Sequence, residues 1–255
     1  MPEILEVEMF RRASAAVVGR RILEVTHADP LVVADGVAEV LSGAKVSGVT
    51  RRGKVMTIEL AARRGAVDVH FGMAGRVVVD GASPIDELVY AASDDSKWIR
   101  FGIRFGRGFL RVSDPRRFAR ISLSRAGEGL GPDAFDIDLA EWRGRLAGRR
   151  GPVKALLLDQ SVVAGLGNML VDEILWRAGV SPKRTADRLS PVEVRRLHAI
   201  TRRVLPELLV KGGSHAGRLA VELRIPGACC PKDGAVLARD TVGGRTTFWC
   251  PRHQH

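Results

Sequence analysis

The sequence predicts an α+β protein: one opening helix and an antiparallel β-sandwich, then a helical half, then a small terminal hairpin. Three observations predict it. Short alternating apolar runs fill residues 22–123, and helical spacing takes over after a glycine-rich stretch at 127–132. Beyond Gly212-Gly213 the chain shortens into strand-like pieces around three cysteines, all between residues 229 and 250. At 255 residues there is enough chain for one large domain or two small ones with a buried core. Apolar residues at 45% and charged residues at 27% argue against disorder. The 40 Lys and Arg against 29 Asp and Glu leave +11, which calls for a polyanionic partner. No apolar run approaches the ~18 residues of a bilayer span, and the first residues carry acids rather than a basic signal. Membrane insertion and secretion are not expected, and a cytoplasmic location is.

The elements follow in order. Pro2, Glu3, Glu6 and Glu8 suit the first turn of a helix that places Leu5, Met9 and Ala13 on one stripe. Val55 to Leu60 alternates as a half-buried strand. A hairpin is expected from Trp98 to Ser113, turning at Gly106-Arg107-Gly108. Its alternation puts Ile99, Phe101, Ile103 and Phe105 on one face and Trp98, Arg100 and Arg104 on the other. Gly127 to Pro132 reads as a linker. A helix should run from Met169 to Ala178, stopped by Gly179 and Pro182. Ser190-Pro191-Val192-Glu193 is a capping box opening a stripe of Val194, Leu197, Thr201, Val204, Leu205 and Leu208.

Four constellations carry possible chemistry. Removal of Met1 would expose a secondary amine on Pro2, roughly a tenth of it neutral at pH 7 for an ordinary α-amino pKa. Such an amine can attack an aldehyde-level sugar carbon and form an iminium, with Glu3 beside it as a proton shuttle. The plain alternative is a good helix start. Val162 to Asn168 is a glycine-bearing turn before a helix, able to approach a phosphate, with Asn168 as a cap and Lys154 upstream; a tight interhelical turn would look the same. Cys230-x₂-Asp233 and Cys250-x₂-His253 lie 16 residues apart, the arithmetic of a four-ligand zinc ribbon, with Cys229 as a substitute for the carboxylate. A metal-free hairpin is the alternative. Seven arginines from Arg100 to Arg120 interleave with Phe101, Phe105, Phe109 and Phe118 against the single Asp114, a pattern suited to phosphates and base steps.

Taken in order along one chain, these motifs resemble the Fpg/Nei (formamidopyrimidine-DNA glycosylase/endonuclease VIII) family of DNA repair enzymes. The resemblance runs through Pro2-Glu3 with Glu6-Val7-Glu8, Arg52-Gly53-Lys54, His70 to Arg76 and Asp114 to Phe118. It continues through Gln160 to Asn168, Asp172 to Leu175, and Gly244 to Phe248 before Cys250-Pro251. It implies a helix and β-sandwich over 2–126, a helix–two-turns–helix domain over 127–222 and a zinc-finger hairpin over 223–255, with DNA held between the halves. The implied activity is that of a bifunctional glycosylase and abasic-site lyase acting on damaged bases in double-stranded DNA, as a monomer at the nucleoid. Pro2 would be the Schiff-base nucleophile, Glu3 the acid that helps open the sugar, and Lys54 a phosphate ligand. Met73, Arg116 and Phe118 would fill the space of the extruded nucleotide, and Lys154, Asn168 and Arg245 would grip the pinched backbone. One structural zinc would sit on Cys230, Asp233, Cys250 and His253.

The chain departs from the family at three places. Ile4-Leu5 stands where Leu-Pro is usual, Asp233 and His253 stand where cysteines are, and residues 213–228 are short. The preferred lesion stays open, as does a second reading of the chain as a damaged-DNA-binding paralogue without chemistry. General RNA or membrane-surface binding explains none of the ordered motifs.

Overall fold

Helix α1 (Ile4–Ser14) opens the computed structural model, which describes residues 1–85, 96–125 and 127–255. The Glu3 backbone N–H donates to the Glu6 carboxylate at 2.8 Å, closing the helix start in the manner of a capping box. Its buried face is broader than the expected stripe: Ile4, Leu5, Val7 and Phe10 go inside, Met9 is half-buried, and the Phe10 ring meets Phe71 at 4.6 Å.

Two antiparallel four-stranded sheets follow. Strands β1 (Ile22–Ala28), β6 (Ile99–Phe105), β7 (Phe109–Ser113) and β5 (Arg76–Val79) form one, in that spatial order. Strands β2 (Val46–Arg52), β3 (Val55–Leu60), β4 (Ala66–His70) and β8 (Arg120–Leu123) form the other, and a one-turn helix α2 (Val37–Leu41) precedes β2. Ile22, Phe101, Ile103 and Val112 of the first sheet share one apolar core with Val46, Met56, Ile58 and Val67 of the second, as a sandwich requires. The alternation in β3 is the expected one, with Met56, Ile58 and Leu60 inside.

The β6–β7 hairpin turns where expected, but its polar face is corrected. Trp98 lies before the strand in a short 3₁₀ turn, and a register shift between Ile99 and Phe101 turns Arg100 inward. Buried Arg100 donates through Nε to the Asp114 carbonyl at 2.8 Å and reaches Asp29 at 3.5 Å. Only Arg104 of the three stays solvated, paired with Glu24 at 2.8 Å.

The chain divides into two compact units at Glu128/Gly129, inside the stretch read as a linker. The second unit carries α3 (Leu139–Leu146), α4 (Val153–Leu158), α5 (Asn168–Ala178) and α6 (Pro191–Val210), then the hairpin β9 (Ala238–Val242) and β10 (Arg245–Trp249). The Ser190–Glu193 capping box starts α6, which buries Leu197, Ile200, Thr201, Val204, Leu205 and Leu208 while Val194 stays at the margin. Helix α5 begins one residue earlier than expected, with Gly167 rather than Asn168 at its cap. The two-residue hairpin turn Gly243-Gly244 has φ of 59° and 70°, the mirror-image turn geometry that glycine adopts without strain.

Asp172 of α5 ties this unit together. One oxygen accepts from Lys154 Nζ of α4 at 2.6 Å; the other accepts from Arg224 and from the Phe248 N–H of β10 at 3.5 Å. Lys154 Nζ also donates to the Thr247 hydroxyl at 2.7 Å. All of Lys154 and Asp172 is out of solvent, so each charge depends on the other. Asp172→Asn should therefore cost about 3–5 kcal/mol in urea unfolding, because it removes the counter-charge of the buried Lys154 ammonium and of part-buried Arg224. A loss under about 1 kcal/mol would show that the cluster holds nothing together.

Candidate active site and metal centre

In the first unit the chemistry gathers at the chain start. Pro2 and Glu3 are buried where the extended entry meets α1, and Glu6 is buried one turn on. Lys54 sits in the turn between β2 and β3, 9% exposed, after Gly53 in a left-handed conformation. The terminal amine, carried by Met1, lies below its ordinary pKa. Burial is the first cause; Glu3 and Glu6 pull the other way, and the positive charges of Lys54 and Arg116 push it down again. The amine, two acids and two cations therefore occupy one neighbourhood, so four sequence-predicted groups (the chain start, Glu3, Lys54 and Arg116) come together. Glu6 joins them; it belongs to the Glu6-Val7-Glu8 motif, but helical spacing alone gives no reason for an acid on a buried face.

Two loops beside this neighbourhood present side chains to solvent. Met73 is 41% exposed and Phe118 is 47% exposed, with the Arg116 guanidinium 4.9 Å from the Phe118 ring centroid. Fully buried Asp114 shapes the second loop, accepting N–H bonds from Arg116 (3.0 Å), Phe118 (2.7 Å) and Ala119 (2.7 Å). Arg117 adopts φ of 55°, and its Nε reaches Asp29 at 2.7 Å, which fixes the bend. Gly72 sets the first loop against the second: at φ of 60°, a Cβ there would lie 2.4 Å from the Phe118 carbonyl carbon. Burial, then the charges of Lys54 and Arg120, push His70 below its ordinary pKa, and its Nδ1 accepts the Gly72 N–H at 3.2 Å. Exposed apolar and cationic tips on braced loops suit insertion into a base stack.

The second unit places its predicted residues unevenly. Gln160 pins the turn before α5, accepting from Gly165 N at 2.9 Å and donating to Leu158 and Leu166 carbonyls at 2.8 and 3.0 Å. Asn168 Nδ2 donates to the Thr246 carbonyl at 3.0 Å, and neighbouring Arg245 is exposed at the hairpin turn. Lys154, expected at a phosphate, is corrected: its ammonium is fully buried and answered by Asp172, so it braces the hairpin from beneath.

The metal-ligand arithmetic assembles in space. One donor atom from each of Cys230, Asp233, Cys250 and His253 lies within 4.8 Å of the others, the compass of a tetrahedral zinc site. The surroundings fit a metal. His253 Nε2 faces the Trp176 carbonyl at 3.2 Å, which directs Nδ1 inward, and Trp176 Nε1 donates to Cys230 Sγ at 3.3 Å. The Ala235 N–H, first, and His253 hold the Asp233 carboxyl below its usual range. Cys229 is exposed and bridged to Val236, outside the cluster, so it is no substitute ligand. Trp176 carried no sequence signal for this role.

Residues 1–121 match the family model described as the formamidopyrimidine-DNA glycosylase N-terminal domain, and 129–218 match its H2TH domain. A formamidopyrimidine-DNA glycosylase of Acidiphilium cryptum is 35% identical over the whole of both chains. The chain belongs to the formamidopyrimidine-DNA glycosylase family. Another member, from Stenotrophomonas maltophilia, is 34% identical with full coverage of both. The fold matches Lactococcus lactis Fpg bound to DNA containing an abasic site, with TM-score 0.83, 26% identity and 99% of each chain covered. A mutant of that protein bound to Fapy-dG DNA matches with TM-score 0.84, 27% identity and full coverage. No helix among the described residues is long and apolar enough to cross a membrane.

Proposed function

We propose that this chain removes damaged bases from duplex DNA in base-excision repair and then cleaves the abasic strand, with Pro2 as nucleophile and the cytoplasmic nucleoid as its place of work. What carries the reading is the buried chain start set among Glu3, Glu6, Lys54 and Arg116. Once Met1 is removed, the Pro2 ring nitrogen inherits surroundings that favour a neutral amine.

Attack of that nitrogen on C1′ of the extruded nucleotide forms a C–N bond. The glycosidic bond breaks, its electron pair and a proton leaving with the base, and Glu3 protonates the sugar ring oxygen as the ring opens. The resulting iminium acidifies the C2′ proton; its loss expels the 3′ phosphate, and a second elimination expels the 5′ phosphate. Water then releases the unsaturated sugar and restores the amine. Lys54 holds a phosphate at the lesion, while Met73, Arg116 and Phe118 occupy the vacated stack and offset part of the flipping cost of a few kcal/mol. Asn168 and Arg245 supply backbone contacts in the second unit. Zinc on Cys230, Asp233, Cys250 and His253 would be structural, joining the hairpin to the chain end and to α5 through Trp176.

Borohydride should trap a covalent adduct between the protein and abasic-site DNA. Adding a residue before Pro2, or making Pro2→Gly, should suppress the adduct by orders of magnitude. Undiminished trapping in both would reject Pro2, and tight lesion binding without strand scission over hours would leave a binder rather than an enzyme. Elemental analysis should find about one zinc per chain, falling well below half in His253→Ala. Fully folded, active and metal-free wild-type protein would remove zinc from the account.

A further inference from the structure

The second unit carries a pocket of about 620 Å³ at the C-terminal end of α5 that the DNA chemistry does not use. Pro231 and Trp176 contribute its apolar lining, and five charged side chains make up the rest. Its one acid is already spoken for. Glu207 accepts from Arg177 at 2.6 and 3.1 Å and from Lys211 at 2.8 Å, and these bonds hold its carboxyl at about 2. Arg177 is likewise taken up by Glu207 and by Glu173 at 2.6 Å. Arg203, Arg218 and Lys232 remain, all exposed, and the side chains of these three have no ion pair among the described residues. Helix α6 extends the positive surface outward: Arg196 stands seven residues, two turns or ~10.5 Å, before Arg203 on the same face.

Three unanswered cations beside the apolar surface of Pro231 and Trp176 fit a ligand that presents carboxylates or phosphates on an apolar frame. The concavity decides between them. A duplex is a convex rod with its phosphates outside and nothing to place on Pro231 and Trp176, whereas a peptide can seat one apolar side chain between acidic neighbours. Position agrees: Asn168 opens α5, and Trp176 lies eight residues or ~12 Å further along it. We propose that this face docks an acidic segment of a partner protein, its Asp and Glu side chains on Arg203, Arg218 and Lys232 and an apolar side chain over Pro231 and Trp176. The docking is independent of the roles assigned at the chain start; only its compatibility with bound DNA rests on Asn168 and Arg245 as DNA contacts.

The test uses the full chain and a short fluorescein-labelled peptide of Asp and Glu with one central Phe, followed by anisotropy. Binding should saturate, weaken with salt, and fall at least about tenfold in Arg203→Glu/Arg218→Glu, while adduct formation with abasic DNA is unchanged and abasic duplex does not displace the peptide. A peptide with Lys in place of every acid should not bind, and the milder Arg203→Gln/Arg218→Gln pair should weaken binding even if charge reversal unfolds the protein. Absence of saturable binding, equal binding by the substituted chains, or displacement by the duplex would overturn the proposal, the last by assigning the face to DNA.

Discussion

A protein has one backbone amine that can act as a nucleophile, and this fold spends a helix start, a strand turn and a loop on surrounding it. Burial penalises the ammonium form, two acids favour it, and two cations oppose it; the sum lowers the pKa. That balance depends on fixed positions. The Glu3–Glu6 bond at 2.8 Å sets the entry to α1, the β2–β3 turn delivers Lys54, and the loop caged by Asp114 delivers Arg116. Loosening any of these would let water back to the amine and restore its ordinary basicity.

Polar side chains brace other loops from within in the same way. Asp114 takes three backbone N–H groups so that Arg116 and Phe118 can point outward. Gln160 closes the turn before Asn168, and the Asp172 cluster holds the hairpin that carries Arg245. Buried polar groups of this kind are costly unless fully partnered, which makes the loops they hold stiff.

The sequence revealed those features whose cause is local. Alternation placed β3 and the β6–β7 hairpin, the Ser190–Glu193 box placed the start of α6, and the x₂ spacings gathered Cys230, Asp233, Cys250 and His253. It hid what depends on distant partners. Arg100 reads as solvated by alternation, but a register shift and Asp29, 71 residues away, draw it in. Lys154 reads as a phosphate contact until Asp172 and Thr247 are seen beside it, and adjacent Cys229 and Cys230 look interchangeable until one turns out and the other in. No periodicity carries that information, because each case is decided by which element lies opposite.

The pH dependence of adduct formation under single-turnover conditions tests the amine's environment most directly. In the proposed reaction it is the neutral amine that attacks, so a lowered pKa moves the rising limb to lower pH. In the wild type the rate should level off below the ordinary α-amino value of ~8. Lys54→Gln removes a positive neighbour, raises the amine pKa and should shift the limb to higher pH. A limb centred at or above ~8 in the wild type, or one unmoved by Lys54→Gln, would contradict the account.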